Sequence, residues 1–316
     1  MSANSKIEWT DHTFNPWIGC MAISPGCANC YAADWAKRYG RDFAARTRTS
    51  AANWQMPLRW NAQADAFMAQ HGRRQRVFCA SLADVFDNAV DPAWRADLWR
   101  LILATPGLDW LLLTKRIGNV EAMLYDANEP LPNVWIGATI VDQAEADRDI
   151  PKLLAVPAAK RFLSMEPLLG PVDLTEIQVP RHGGFEVFSA LEYDGGPEED
   201  VELGTATVDW VIVGGESGPG ARPMHPDWAR SLRDQCAAAG VPFLFKQWGE
   251  WTPGENVERV RGTVDTAFLY DDGWHVYPLN LATDEGHIDD QPDLYRVGKK
   301  KAGRLLDGRK HDEVPS

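Results

Sequence analysis

Six short apolar runs, each closed by small or polar residues, restrict this chain to few folds: residues 76–81 (RVFCAS), 110–114 (WLLLT), 134–139 (VWIGAT), 161–166 (RFLSME), 210–215 (WVIVGG) and 241–246 (VPFLFK). They are apolar at consecutive rather than alternate positions, the mark of strands buried on both faces of a parallel sheet. Helical patterns lie between them. Residues 91–105 put Trp94, Leu98, Leu101 and Ile102 on one stripe, with Asp91 as N-cap and Pro92 at the first helical position. Residues 142–155 join a capping Asp142 to an apolar face of Ile150, Leu153 and Leu154, and residues 225–239 run from His225 to a stop at Gly240. A further strand near residues 14–18 brings the count to about seven. Such alternation means an α/β fold with right-handed crossovers. A partial or near-complete parallel (β/α) barrel of six to seven strands fits it better than a doubly wound sheet. Most of the 14 tryptophans, Trp110, Trp135 and Trp210 among them, are expected in the core or at strand ends.

Two segments break the rhythm, and they carry the charge. The chain holds 45 acidic and 32 basic residues, a net −13, which at face value argues against a polyanionic partner. Residues 171–209 contribute −9 and residues 253–293 contribute −8, however, which leaves +4 for the rest. Both segments read as hairpins or loops outside the barrel. The expected organisation is a barrel over residues 1–252 with an acidic insertion at about 171–209, then an extension over 253–316. That extension has an acidic hairpin or loop region and a basic tail. No run approaches eighteen apolar residues, and the first residues lack the apolar core of a signal peptide, so no membrane span and a cytoplasmic setting are expected.

Cys20, Cys27 and Cys30 form a C-x6-C-x2-C group in GCMAISPGCANCYA. In a reducing compartment, three cysteines this dense suit a metal better than a disulfide. Gly19, Pro25 and Gly26 let the loop wrap around an ion. Closed structural zinc sites use four ligands, whereas a [4Fe–4S] cluster on three thiolates keeps one iron open for an outside ligand. Zinc with His12 as fourth ligand, or three unligated thiols, remain alternatives. Cys79 and Cys236 fall within a strand and a helix and read as buried thiols. Parallel barrels place their active sites at the carboxyl ends of strands. Those ends hold Ser81 and Asp84, Lys115 and Arg116, Thr139, Ser164 and Glu166, Gly214 to Ser217, and Lys246 to Trp248.

A three-cysteine loop after the first strand of a (β/α) barrel resembles the radical S-adenosylmethionine (SAM) enzymes. More closely, the chain is similar to the phage-associated three-Cys-motif protein family, a radical-SAM-like group. The similarity runs through KIEWTDHTFNPWIGC…SPGCANCYA, FCASLADVFD at 78–87, LLLTKR at 111–116 and FLSMEPLLGPVDL at 162–174. It continues through DWVIVGGESGPGARP at 209–223 and GKKKAGRLLDGRKHDEVP at 298–315, and is weakest over 175–208. The resemblance implies a [4Fe–4S] cluster on Cys20, Cys27 and Cys30, and SAM as the second cofactor, chelating the open iron. Reductive cleavage of SAM would then give a 5′-deoxyadenosyl radical that takes hydrogen from the substrate. The first gap is six residues where radical-SAM enzymes usually have three, and the aromatic Tyr31 follows the last cysteine instead of standing inside the pair. Gly214, Gly215 and Glu216 look like the glycine–glycine–glutamate element that contacts the SAM amino group, although here they follow a late strand. The other reading of the glycines is a tight βα turn. Asp84 and Glu166 are further partners for the SAM ammonium. Ser81 joins the cofactor set, and Lys115 and Arg116 suit the SAM carboxylate or a substrate phosphate.

Three functions compete. The first is a radical-SAM enzyme for repair or base modification of nucleic acid (DNA). It draws on the basic tail (Lys299, Lys300, Lys301, Arg304, Arg309, Lys310) and on Lys37, Arg38, Arg41, Arg46 and Arg48 in a 37–60 segment that also carries Trp54 and Trp60. The second acts on a small molecule or peptide. The third is a non-catalytic module bound to zinc or an iron–sulfur cluster, working with a protein encoded beside it. The enzymatic readings both require an electron donor.

Overall fold

The computed structural model describes residues 2–3, 5–125, 129–193, 206–257, 262–280 and 294–315. Seven parallel strands form one curled, open sheet and follow each other in chain order: β1 (His12–Phe14), β2 (Gln75–Cys79), β3 (Leu108–Thr114), β4 (Val134–Thr139), β5 (Lys160–Met165), β6 (Trp210–Gly214) and β7 (Phe243–Gln247). This is the expected partial barrel. The first strand ends sooner than the sequence suggests. Pro16 has no N–H to donate to a ladder, and Trp17–Ile18 leaves the sheet to pair antiparallel with Thr47–Arg48.

The main helices lie where their caps put them. Four bear on the argument: α1 (Tyr31–Arg38), α2 (Pro92–Leu103), α3 (Gln143–Ala155) and α4 (Pro226–Ala239). Asp91 accepts from Ala93 N at 2.8 Å and Asp142 from Glu145 N at 2.9 Å. His225 is a cap rather than a site residue, its ring accepting from Asp227 N at 3.2 Å. Gly240 ends α4 in the left-handed conformation. The expected hairpins are also present. Ile177–Arg181 pairs with Gly184–Phe188, and Thr263–Tyr270 with Gly273–Asn280. The second hairpin joins Trp251–Pro253 and Leu294–Arg296 in a small antiparallel sheet. The acidic residues at 194–205, 258–261 and 281–293 lie outside the described residues.

Alternate residues of each strand face the inside of the curl. There Trp9, Phe78, Leu111, Trp135, Phe162 and Trp210 form a cluster with Ile212 and Leu244. The opposite parity, Val77, Leu112, Ile136, Leu163, Val211 and Phe245 among it, packs in the larger core. The inner cluster is dense enough to dictate a glycine: a Cβ on Gly137 would stand 2.3 Å from the Phe162 ring.

Both sheet edges are covered, which removes the unpaired ladder of an edge strand. Ser2–Ala3 pairs antiparallel with β1. The C-terminal tail lies along β7: Phe245 N donates to His311 O at 3.0 Å, and Phe243 N to the Glu313 carboxylate at 3.1 Å. The Gly137→Ala substitution should push Phe162 off its position and cost about 1–3 kcal/mol. Urea unfolding checks this, and an unchanged midpoint would mean that the interior is looser than described.

Candidate active site

The inward parity turns from apolar to polar toward the carboxyl ends of the strands. Leu111 and Leu113 lead to Lys115, Trp135 and Gly137 to Thr139, Phe162 and Ser164 to Glu166, and Leu244 to Lys246. Above the aromatic cluster these ends line a cavity of about 650 Å³. Cys20, Cys27 and Cys30 share its wall, as do the strand-end candidates except Gly214 and Trp248, while His12 does not line it. Gly214 stands just behind, its Cβ position 3.2 Å from Glu166 Cγ. Gly215 is a glycine for steric reasons, since a Cβ would lie 2.0 Å from the Trp248 carbonyl oxygen. The second glycine therefore lets the chain leaving β6 approach the loop after β7 closely.

The cysteine loop turns through a 3-10 segment, Pro25–Cys27, capped by Ser24 accepting from Gly26 N at 3.1 Å. Cys30 then stands at the N-cap of α1. The loop is held across the mouth by the segment after β6. Asn29 donates to Glu216 at 2.9 Å and to Gly220 O at 2.7 Å, and Arg222 donates to Pro25 O at 3.0 Å. Glu216 is the centre of this clamp. Its carboxylate takes the Arg222 backbone N at 2.8 Å and the Arg222 guanidinium at 2.6 and 2.9 Å. Burial alone would raise the Glu216 pKa, but the Arg222 and Asn29 hydrogen bonds outweigh it and hold the group below the ordinary 4.5. Glu216 lines the cavity, yet its lone pairs serve the clamp.

Asp84 is similarly engaged. It accepts from Phe86 N at 2.9 Å, from the Thr114 hydroxyl at 2.8 Å and from Lys115 N at 3.2 Å, and it pairs with Arg116 at 3.2 Å. This fixes Arg116, which donates to Met21 O at 2.9 Å and to Cys20 Sγ at 3.4 Å. Burial pushes the Cys20 thiol up by more than Arg116 draws it down. Ser81 is set by Asn15, whose amide donates to its hydroxyl at 3.0 Å. Glu166 pairs with Lys246 rather than with the Lys115–Arg116 dipeptide. Its other oxygen, Oε1, is buried without a hydrogen-bond partner among the described residues. Among the described residues Lys115 Nζ reaches only the Thr139 hydroxyl, at 3.3 Å.

All three cysteines are free thiols, half-buried, while Cys79 and Cys236 are buried in the core. Among the described residues, no three of His, Cys, Asp and Glu are gathered closely enough to hold a metal ion. The three thiols thus share one wall without being drawn together. Asn29 and Arg222 are neither thiols nor residues at a strand end, whereas Lys246, the inward residue at the end of β7, stands where the strand-end rule expects a site residue.

The chain belongs to the family described as protein of unknown function (DUF5131). The family model matches residues 4–315. No curated protein and no solved structure matches the chain.

In this DUF5131 chain the basic segments are only partly open to a ligand. Trp54 and Trp60 are not stacking surfaces. Trp60 is buried and stacks on His12 at 4.2 Å, while Trp54 packs against Phe14 and lies beneath Arg48. Arg46 and Arg48 are paired with Asp87 and Asp97. Their aromatic neighbours gain more from burial than from exposure. Arg304 is bound to Asp312 and to Lys246 O. Lys299, Lys300 and Lys301 are exposed, and Lys299 lines the cavity. Among the described residues, no helix is long and apolar enough to cross a membrane.

Because the folded Glu216 pKa is depressed, its contribution to stability is complete above about pH 4.5 and is lost as pH falls through the folded value. The Glu216→Gln variant should lose about 1–3 kcal/mol at neutral pH. Its stability should also fall less steeply than wild type on acidification. Urea titrations at a series of pH values check both effects, and parallel curves for the two proteins would contradict them.

Proposed function

We propose that the chain is a radical-SAM enzyme acting on nucleic acid, with DNA repair or base modification as its reaction class. One observation carries the reading. Three free thiols from a single short loop share the wall of the cavity that also receives Lys115, Glu166 and Lys246 from the strand ends. Cys20, Cys27 and Cys30, which this structure leaves apart, would have to close together to hold a [4Fe–4S] cluster, and three soft donors without a fourth would leave one iron for an outside ligand. When bound, the cluster supplies the electron that cleaves SAM to a 5′-deoxyadenosyl radical.

The remaining work falls to the protein's own groups. Arg116, fixed by Asp84, donates toward the Cys20 sulfur and offsets the charge of a thiolate there. Glu166 Oε1, buried and without a hydrogen-bond partner among the described residues, suits the SAM ammonium, while Lys246 holds the other oxygen. The aromatic cluster beneath seals the cavity from below. Lys299, Lys300 and Lys301, for which no carboxylate of the described residues forms an ion pair, suit a polyanion at the rim. The resemblance to radical-SAM enzymes supports the same reading. An external electron donor completes the system.

The test is anaerobic incubation of the reconstituted full chain with SAM and dithionite. Wild type should form 5′-deoxyadenosine, and a folded Cys27→Ala variant should form none. An iron-loaded wild type that leaves SAM intact with every reductant tried would overturn the proposal.

A further inference from the structure

The charges that line the cavity do not balance. Its carboxylates are Glu8, Asp84, Glu166 and Glu216. Three of them have a cation of the protein: Arg116 for Asp84, Lys246 for Glu166 and Arg222 for Glu216. Glu8, the fourth, is exposed, as are the cavity's Lys6 and Lys299. Lys115 differs from these. It follows β3 on the inward parity and is half-buried, and among the described residues no carboxylate lies within ion-pair distance of its Nζ. Its one hydrogen bond among the described residues is to the Thr139 hydroxyl, at 3.3 Å. Lys115 Cε is 3.5 Å from the position a Cβ would take on Gly26, so the side chain runs between the cysteine loop and the barrel wall.

A half-buried ammonium with one neutral partner has lost hydration without gaining a counter-charge. An anion that entered the cavity would restore it through a charge-assisted hydrogen bond. The Thr139 hydroxyl stands beside it as a second donor.

We propose that Lys115 and Thr139 form an anion subsite in this cavity, which holds a phosphate or carboxylate group of the ligand. The inference deepens the proposed function by naming the ligand group that the cavity recognises. It rests on that reading only in taking this cavity as the place of chemistry, and it does not require a cluster. The phosphate of a nucleotide substrate and the carboxylate of SAM are the two sources of the anion.

Binding of inorganic phosphate, of a deoxynucleoside monophosphate and of SAM is measured by calorimetry on the full chain in phosphate-free buffer. Each titration is repeated with Cys27→Ala, so that failure of the cluster reading is seen separately. At least one ligand should bind, and Lys115→Met should weaken it by roughly tenfold to a hundredfold, while Lys115→Arg retains most of the affinity. Dependence on Lys115 for phosphate and the nucleotide assigns the subsite to substrate, and dependence for SAM alone assigns it to the cofactor carboxylate. If Lys115→Met does not fold, Lys115→Gln takes its place. If none of the three binds, or if the uncharged variants bind as wild type does, the proposal is wrong.

Discussion

Seven parallel strands with both faces buried leave few places for polar chemistry. The outward parity is taken by the helices and the inward parity by the aromatic cluster around Phe162 and Trp210. Charge gathers at the two ends of the strands, and at the carboxyl ends the inward positions rise above that cluster into the cavity. Lys115, Glu166 and Lys246 sit there as the next inward residues after an apolar series. The cavity is thus a consequence of strand parity and of how far the aromatic filling extends.

The cysteine loop is added to that frame by polar contacts. The Glu216–Arg222 pair, with Asn29, binds the loop after β1 to the loop after β6, far away along the chain. On the other side Asp84 and Arg116 bring the end of β3 to Cys20. The thiols are therefore positioned by groups that are themselves neutralised in pairs, and Lys115 is left with its charge available. The tail contributes too. It covers the free edge of β7, and Arg304 holds the Lys246 carbonyl, so the strand that carries Lys246 is fixed from outside. What reads in the sequence as a basic arm is in large part a sheet-edge cover.

Much of this was legible from local pattern. The apolar runs identified six of the seven strands to within about two residues. Asp91, Asp142, His225 and Gly240 marked helix ends, because caps are local devices. The site residues at strand ends followed from the barrel rule together with the runs. What stayed hidden depends on pairing across distance. Glu166 chose Lys246, 80 residues away, over the nearer Lys115. Glu216 served Arg222 where a glycine–glycine–glutamate reading suggested a ligand. Trp54 and Trp60 stand among basic residues in sequence and yet turn into the core, since the side of a helix or loop that faces the protein is set by its neighbours.

The proposed role of Cys20, Cys27 and Cys30 is to ligate one iron–sulfur cluster at the mouth of this cavity. Iron and acid-labile sulfide content of the anaerobically purified full chain, taken with its visible spectrum, tests it most directly. The account predicts about four irons and four sulfides per chain, the stoichiometry of a [4Fe–4S] cluster, with brown absorbance that disappears when the three cysteines are replaced by alanine. A colourless protein that binds one zinc through the same thiols would contradict it.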